Sequence, residues 1–151
     1  MKITLLTNNS GGNSSVKMSG IARYTRCLYE ELNSEKNKNK QEIILSETPA
    51  PSQWLIFLGK IIGKDISTVL RGTPLQFPLQ PCKSEIVHCT SQTLAIPLLY
   101  AKKRGVKYIV TVHDLIPAAT NSYASITERI LYFFILKALR NADHLIADSA
   151  Y

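Results

Sequence analysis

Short apolar segments alternate with longer, partly apolar ones along this chain of 151 residues. Five of the short segments are rich in β-branched and aliphatic residues and are bounded by polar or turn-forming residues. That pattern is typical of buried β-strands. The predicted strands span residues 2–8, 41–47, 84–90, 106–114 and 143–149.

The segments between these strands carry apolar residues near the spacing of an α-helix. The predicted helices run from Ser19–Gly20 to about Asn33, over 52–72 as one broken helix or two short ones, over 91–105, and over 125–142. Gly105 is the expected C-cap of the third helix, and Ser125 is the expected N-cap of the fourth. Strands that alternate with helices predict an α/β fold with a doubly wound, parallel, Rossmann-like sheet.

Polar residues follow four of the predicted strands. In an open parallel sheet, ligands bind at the carboxyl ends of the strands. Those ends lie at residues 8–20, 88–91, 113–114 and 148–149. We therefore expect the four ends to form one ligand-binding edge, whereas His144 begins the last strand and belongs to the opposite edge.

The loop after the first strand is rich in glycine, serine and asparagine, but it matches no nucleotide-binding motif. Gly11, Gly12 and Gly20 do not fit G-x-G-x-x-G, which counts against a nucleotide-dependent oxidoreductase, and the P-loop pattern is absent as well. Gly20 keeps two interpretations. Either its backbone N–H binds a phosphate at the N-terminus of a helix, or Gly20 is only a tolerated N-cap residue.

Titratable residues stand where two of the apolar strands end. His113 has three interpretations: it hydrogen-bonds a ligand, it acts as an acid or base, or it is a strand-end histidine that hydrogen-bonds the backbone. Asp114 either orients a partner or caps a turn. His88 favours a core position because Cys89 adjoins it, and the histidines and cysteines lack the spacing of a metal site. Ser149 has no evident base that would make it a nucleophile.

Composition and charge narrow the class of protein. The chain is 45% hydrophobic and 19% charged, as ordinary globular domains are. Its net charge of +7 favours an anionic partner, but no basic–aromatic interleaving argues for nucleic acid. The three cysteines lack C-x-x-C spacing, and the apolar opening is too short for a signal peptide. We therefore expect a cytoplasmic protein with free thiols.

Three longer motifs occur along the chain. They are SGIARYTRCLYEEL from Ser19, VTVHDLIP from Val110 and LRNADHLIADSAY from Leu139. In this order and spacing they resemble the N-terminal domain of family 4 glycosyltransferases, which have the GT-B fold. The resemblance spans nearly the whole chain. It implies a sugar transferase that uses a nucleotide-activated donor, retains the configuration at the anomeric carbon and needs no bound metal.

The resemblance also implies roles for individual residues. Gly20 is expected near the donor diphosphate and His113 near the donor sugar, while Ser149 is expected at the edge of the cleft. Arg23 and Tyr24 match the family's first helix, where such residues support or line the cleft. The candidate catalytic residue is therefore His113, and the candidate substrate-binding residues are Gly20, Arg23, Tyr24, His88, Asp114 and Ser149.

The family's second half has no counterpart in this sequence. That half carries the nucleotide site, basic residues for the leaving phosphate and an E-x7-E motif. Residues 1–151 are therefore expected to form a truncated N-terminal, acceptor-side domain that is inactive alone. The expected partners are a nucleotide sugar and a glycan or lipid-linked acceptor, without any further cofactor. The alternative is a non-enzymatic half-domain that binds a carbohydrate or a partner protein.

Residues 52–72 have two interpretations. Trp54, Phe57 and Ile61, together with Lys60 and Lys64, fit an amphipathic helix at a membrane surface. The same apolar residues also fit a core helix that covers one face of the sheet. The first interpretation makes the protein peripheral to a membrane, and the second does not.

Overall fold

The computed structural model of the protein describes residues 1–7, 20–39, 41–47, 84–100, 102–115 and 126–148. In chain order the elements are β1 (Lys2–Thr7), α1 (Gly20–Asn39), β2 (Glu42–Glu47), β3 (Ile86–Cys89), a 3₁₀ helix (Gln92–Leu99), β4 (Lys107–Val112), α2 (Ile126–Leu139) and β5 (His144–Ala147). All of the predicted strands are confirmed, each slightly shorter than the sequence indicates.

The strands form one parallel sheet in the order β2-β1-β3-β4-β5. β1 pairs with β2 on one side, where Ile3 lies opposite Ile43, and with β3 on the other, where Ile3 lies opposite Ile86. The direction in which strands are added reverses between β1 and β3. Such a reversal point is where ligands bind in open α/β sheets. The prediction of a parallel α/β sheet is confirmed.

Helical elements pack on both faces of the sheet because side chains alternate between the faces along each strand. Ile3 and Leu5 of β1 belong to an apolar cluster with the inner side of α1. Leu6, the next residue, belongs to a second cluster with Leu94 of the 3₁₀ helix and Ile135 of α2. The two clusters explain why β1 is continuously apolar, since both of its faces are buried.

α1 is longer than the sequence pattern predicts. It runs to Asn39, whereas the expected end was near Asn33. Glutamate and lysine are good helix formers, and they sustain the helix where the asparagines indicated a loop. Ser34 also donates its hydroxyl proton to the Glu31 carbonyl within the helix, at 2.7 Å.

The helix predicted over 91–105 is a 3₁₀ helix that ends at Leu99, so the prediction of its type and length was wrong. Pro97 has no N–H to donate to the preceding turn, which disfavours a regular α-helix. Tyr100 closes the element by donating its backbone N–H to the Pro97 carbonyl at 3.1 Å. Gly105 is therefore not a helix C-cap. It lies in the turn before β4 with a φ of 83°, which favours glycine.

Asp143, from the third sequence motif, holds together the beginnings of β4 and β5. Its Oδ2 accepts the Tyr108 backbone N–H at 2.9 Å, and its own N–H donates to the Tyr108 carbonyl at 2.8 Å. The hydrogen bond from Tyr108, with Lys102 and Lys107 nearby, lowers the pKa of Asp143. The following residue, His144, begins β5, so it lies at the edge opposite the strand ends, as predicted.

Some predictions concern residues outside the described ranges. They are the loop at 9–19, the segment at 52–72, the cap at Ser125 and the cleft-edge Ser149. Among the helices that the structure does describe, none is both long enough and apolar enough to cross a membrane.

Candidate functional site

The carboxyl ends of four strands meet near the beginning of α1 at one edge of the sheet. The Thr90 backbone N–H donates to the Leu6 carbonyl at 3.1 Å, which joins the ends of β3 and β1. The Asp148 N–H donates to the last carbonyl of β4 at 3.2 Å. From α1, the Tyr24 hydroxyl oxygen lies 3.0 Å from the Thr111 hydroxyl oxygen on β4. The strand ends therefore converge as the sequence predicts.

His113, directly after β4, is the centre of this edge. Its Nδ1 lies 2.7 Å from Oδ2 of Asp148, and its Nε2 lies 2.8 Å from the Thr90 carbonyl oxygen. The Tyr24 ring meets the imidazole edge-on, with 5.2 Å between ring centroids and 84° between the planes. The side chain is only 12% exposed. Contacts from α1 and from the residues that directly follow β3 and β5 thus fix the ring from three sides.

Both ring nitrogens of His113 face oxygen acceptors. A neutral imidazole has one N–H and one lone pair, so it can donate to only one of these two oxygens. Only the doubly protonated ring donates to Asp148 and Thr90 together. Neither nitrogen is left open to take a proton from a ligand while both contacts hold. The arrangement therefore favours a positioning role for His113 over the general-base role that its sequence position also allowed.

Gln92, at the start of the 3₁₀ helix, holds the backbone of this edge in place. Its Oε1 accepts the His113 backbone N–H at 3.3 Å, and its Nε2 donates to the Asp114 carbonyl at 3.0 Å. The Gln92 side chain is buried, so both hydrogen bonds are partly shielded from water. Asp114 itself is exposed, and the structure shows only its backbone carbonyl in a hydrogen bond, with Gln92. Whether Asp114 caps a turn or orients a partner stays a prediction.

A row of polar side chains runs beneath His113. The Thr111 hydroxyl oxygen lies 3.0 Å from the Tyr24 hydroxyl and 2.8 Å from Nε2 of His88. One hydroxyl with a proton and two lone pairs can serve both partners at once. Thr111 is fully buried and His88 is 6% exposed. The row therefore connects the edge to the interior of the sheet, and it supports the ring of Tyr24 against His113.

His88 and Cys89 are uncharged interior residues. Burial lowers the pKa of His88 to about 4, so its ring is neutral at neutral pH. Burial raises the pKa of the Cys89 thiol to about 12, so it does not supply a thiolate nucleophile. The two side chains also point to opposite faces, since they are adjacent in a strand. Among the described residues, no group of three or more His, Cys, Asp or Glu side chains could hold a metal ion.

The structure brings together most of the residues predicted from sequence. Tyr24, His113 and Asp114 lie at the edge, with His88 buried beneath it. Gly20 is the first residue of α1, and a Cβ added there would meet no heavy atom of the described residues within 4 Å. Arg23 is exposed on the first turn of α1. Direct contact of these residues with a ligand stays a prediction, and Ser149 lies outside the described residues.

Sequence reasoning missed the roles of Thr90, Gln92, Thr111 and Asp148. Thr90 and Asp148 each directly follow a strand, and that position was the available signal. Gln92 stands out only as a polar residue before the apolar run LAIPLL. No sequence pattern shows that Thr111 connects Tyr24 with His88, because that contact joins residues from three elements.

Comparison of the chain with family models, with curated proteins and with solved structures finds no match. The function of the chain must therefore be inferred from the geometry of this edge and from the motifs that build it.

Proposed function

We propose that this chain is the N-terminal, acceptor-side half of a GT-B glycosyltransferase. One observation carries the proposal most strongly. Tyr24, His113 and Asp148 come from the three separate motifs that resemble the family, and they meet in space. The Tyr24 ring lies 5.2 Å from that of His113, and Asp148 lies 2.7 Å from His113 Nδ1. Motifs that specify one site are expected to converge in this way.

The intact enzyme would transfer a glycosyl group from a nucleotide sugar to an acceptor hydroxyl, with retention. The bond between the anomeric carbon and the diphosphate oxygen breaks, and the nucleoside diphosphate leaves with the bonding electrons. The acceptor oxygen bonds to the anomeric carbon, and its proton passes to the oxygen of the departing diphosphate. Residues of the second half would stabilise the leaving phosphate, which is a large part of such catalysis. The described half would position substrates.

Two residues of this half would contact the donor. Gly20, at the N-terminus of a 20-residue helix, would offer its backbone N–H and the positive end of the helix dipole to the diphosphate. His113 would orient the donor sugar, with its ring held by Asp148 and Thr90. A sugar hydroxyl that bonds to the His113 ring would share or replace one of these contacts.

The acceptor would be a glycan or a lipid-linked hydroxyl, and the protein would work in the cytoplasm. Support for this location comes from the described cysteines, Cys27 and Cys89, which are both free thiols.

A non-enzymatic, carbohydrate-binding half-domain is the second candidate function. The observation that favours it is the occupation of both His113 ring nitrogens by protein acceptors. In that case the edge would bind a sugar without transferring it.

Turnover by the complete reading frame that contains residues 1–151 tests the proposal. With a panel of nucleotide sugars and acceptors, we expect the complete protein to release nucleoside diphosphate and the 151-residue chain alone to release none.

His113→Ala should lower kcat/KM at least about tenfold, because the donor sugar loses an orienting contact. Gly20→Ala should raise the donor KM without unfolding the chain, since the added Cβ meets no atom of the described residues within 4 Å.

His144→Ala is the matched control, because His144 is an exposed histidine at the opposite edge, and its kinetics should equal those of the native protein. Turnover by the 151-residue chain alone would contradict the half-enzyme proposal. Sugar binding by the complete protein without release of nucleoside diphosphate would favour the binding half-domain.

A further inference from the structure

α2 has two faces of different character. Its inner residues Ile135, Ala138 and Leu139 are buried in the cluster shared with the 3₁₀ helix. Its outer side carries large apolar residues that are between 44% and 77% exposed. These residues are Ile126, Ile130, Phe133 and Phe134, and they line a shallow groove together with Arg129. Contiguous exposed apolar surface of this kind marks a contact site.

The charged side chains that the structure describes on this side of the helix are cationic. Arg129 and Lys137 are exposed within α2, and Arg140 is exposed directly after it. The Lys137 ammonium lies 4.6 Å from the centre of the Phe133 ring, so a cation stands directly over the apolar surface. We define the outer face of α2 as Ile126, Arg129, Ile130, Phe133, Phe134 and Lys137.

We propose that the outer face of α2 docks on the surface of an anionic phospholipid bilayer. Large apolar side chains would enter the boundary of the acyl chains, while Arg129 and Lys137 contact the phosphates. The helix is about 20 Å long, and its exposed apolar residues are distributed from Ile126 to Phe134 along it, as in a helix that lies in a membrane interface. The net charge of +7 adds a general attraction to anionic lipid.

Charge argues against a second copy of the chain as the occupant. A symmetric dimer would place the same patch of both copies face to face. Arg129 and Lys137 of one copy would then approach the same cations of the other across an apolar contact, where charge repulsion is poorly screened. An anionic bilayer supplies the opposite charge and an apolar layer together. This lipid contact uses none of the residues at the His113 edge, so it stands independently of the proposed transfer chemistry.

Vesicle binding by the 151-residue chain tests the assignment. We expect it to co-sediment with phosphatidylglycerol-containing vesicles at about 0.15 M salt and far less with pure phosphatidylcholine. Ile130→Ser/Phe133→Ser should lower the partition coefficient at least about tenfold, because apolar burial in the bilayer is lost. Ile146→Ser is the matched control, because Ile146 is an exposed residue of β5 aligned with Thr111, which faces α1 on the other side of the sheet. Its partition coefficient should stay within about twofold of that of the native chain.

Circular dichroism would check that the variants fold. If the double serine variant is unfolded, Arg129→Gln/Lys137→Gln provides the second test, and it too must lose binding to anionic vesicles. Absence of binding at low salt would overturn the assignment. Binding that is unchanged in both double variants would overturn it as well. A dimer in sedimentation velocity that Ile130→Ser/Phe133→Ser dissociates would assign the face to a second copy instead.

Discussion

Asp148 and the Thr90 carbonyl together define how His113 can act. The carboxylate is the stronger of the two acceptors, because a hydrogen bond to a charged oxygen is about twice as strong as a neutral one. Its 2.7 Å contact with Nδ1 therefore dominates the orientation of the ring. Nε2 is then directed at Thr90 and away from bulk water. The function of a motif histidine thus depends on residues from two other strands.

Replacing Asp148 tests this orientation. In Asp148→Ala, we expect the His113 ring to lose its Nδ1 hydrogen bond and to change the distribution of protons between its two nitrogens. The fold should persist, because the Asp148 side chain is 47% exposed. Long-range ¹H–¹⁵N spectra of the imidazole in the 151-residue chain would show the change as shifted Nδ1 and Nε2 resonances. This readout does not require enzymatic activity.

Asp114→Ala is the control for that experiment, since it removes an exposed carboxylate from the residue next to His113. Its spectrum should match that of the native chain. Identical His113 resonances in the native chain and in Asp148→Ala would show that Asp148 does not orient the ring.

At the scale of elements, α2 shows how one helix serves two environments. Its inner face packs in the apolar cluster shared with the 3₁₀ helix and the strands, and Ile135 is completely buried there. Its outer face also carries large apolar residues, but these are exposed and accompanied by cations. Hydrophobicity alone therefore does not identify which side of this helix is buried. The position of the helix relative to the sheet determines that.

Two alanine substitutions in α2 should differ sharply in stability. Ile135→Ala should lower the free energy of unfolding by about 2–5 kcal/mol, since it removes fully buried methyl groups and leaves a cavity. Ile130 lies on the outer side of the same helix and is 54% exposed, so Ile130→Ala should change the free energy of unfolding by less than about 0.5 kcal/mol. Urea unfolding followed by circular dichroism gives both values. Equal losses would mean that the outer face packs against the protein in solution.

At the scale of the whole molecule, buried polar groups make the fold sensitive to acid. His88 lies within the sheet, and burial lowers its pKa from 6.5 to about 4. Between these two values the unfolded chain binds a proton that the folded chain does not. The contribution of His88 to stability is therefore fully present above pH 6.5 and is lost as the pH falls toward 4. That loss is about 3 kcal/mol.

His88→Gln should remove that part of the acid sensitivity. Glutamine keeps a polar group near Thr111 but does not titrate, so the free energy of unfolding should fall less steeply between pH 6.5 and 4. Urea titrations at several pH values measure the slope for both chains. The slope is compared rather than the stability at one pH, because the substitution also changes packing. Equal slopes would show that His88 is not the group responsible.

β1 and β3 were predictable because burial on both faces requires continuous apolar runs, and such runs are visible in the sequence. The parallel sheet followed from their alternation with helices. The length of α1 was not predictable from its asparagines, since favourable neighbours outweigh a weak local preference. The 3₁₀ helix was missed because Pro97 stands in an apolar run that also fits an α-helix.

The sequence by itself determined the α/β class, the strand positions and the placement of His113 at a carboxyl edge. Local periodicity and turn residues specify these properties, and they act over a few residues. Only the tertiary structure decided what surrounds His113, because Tyr24, Thr90 and Asp148 reach it from α1, β3 and β5. Hydrogen bonds and ring contacts between distant segments depend on strand order and register, and no local pattern encodes those.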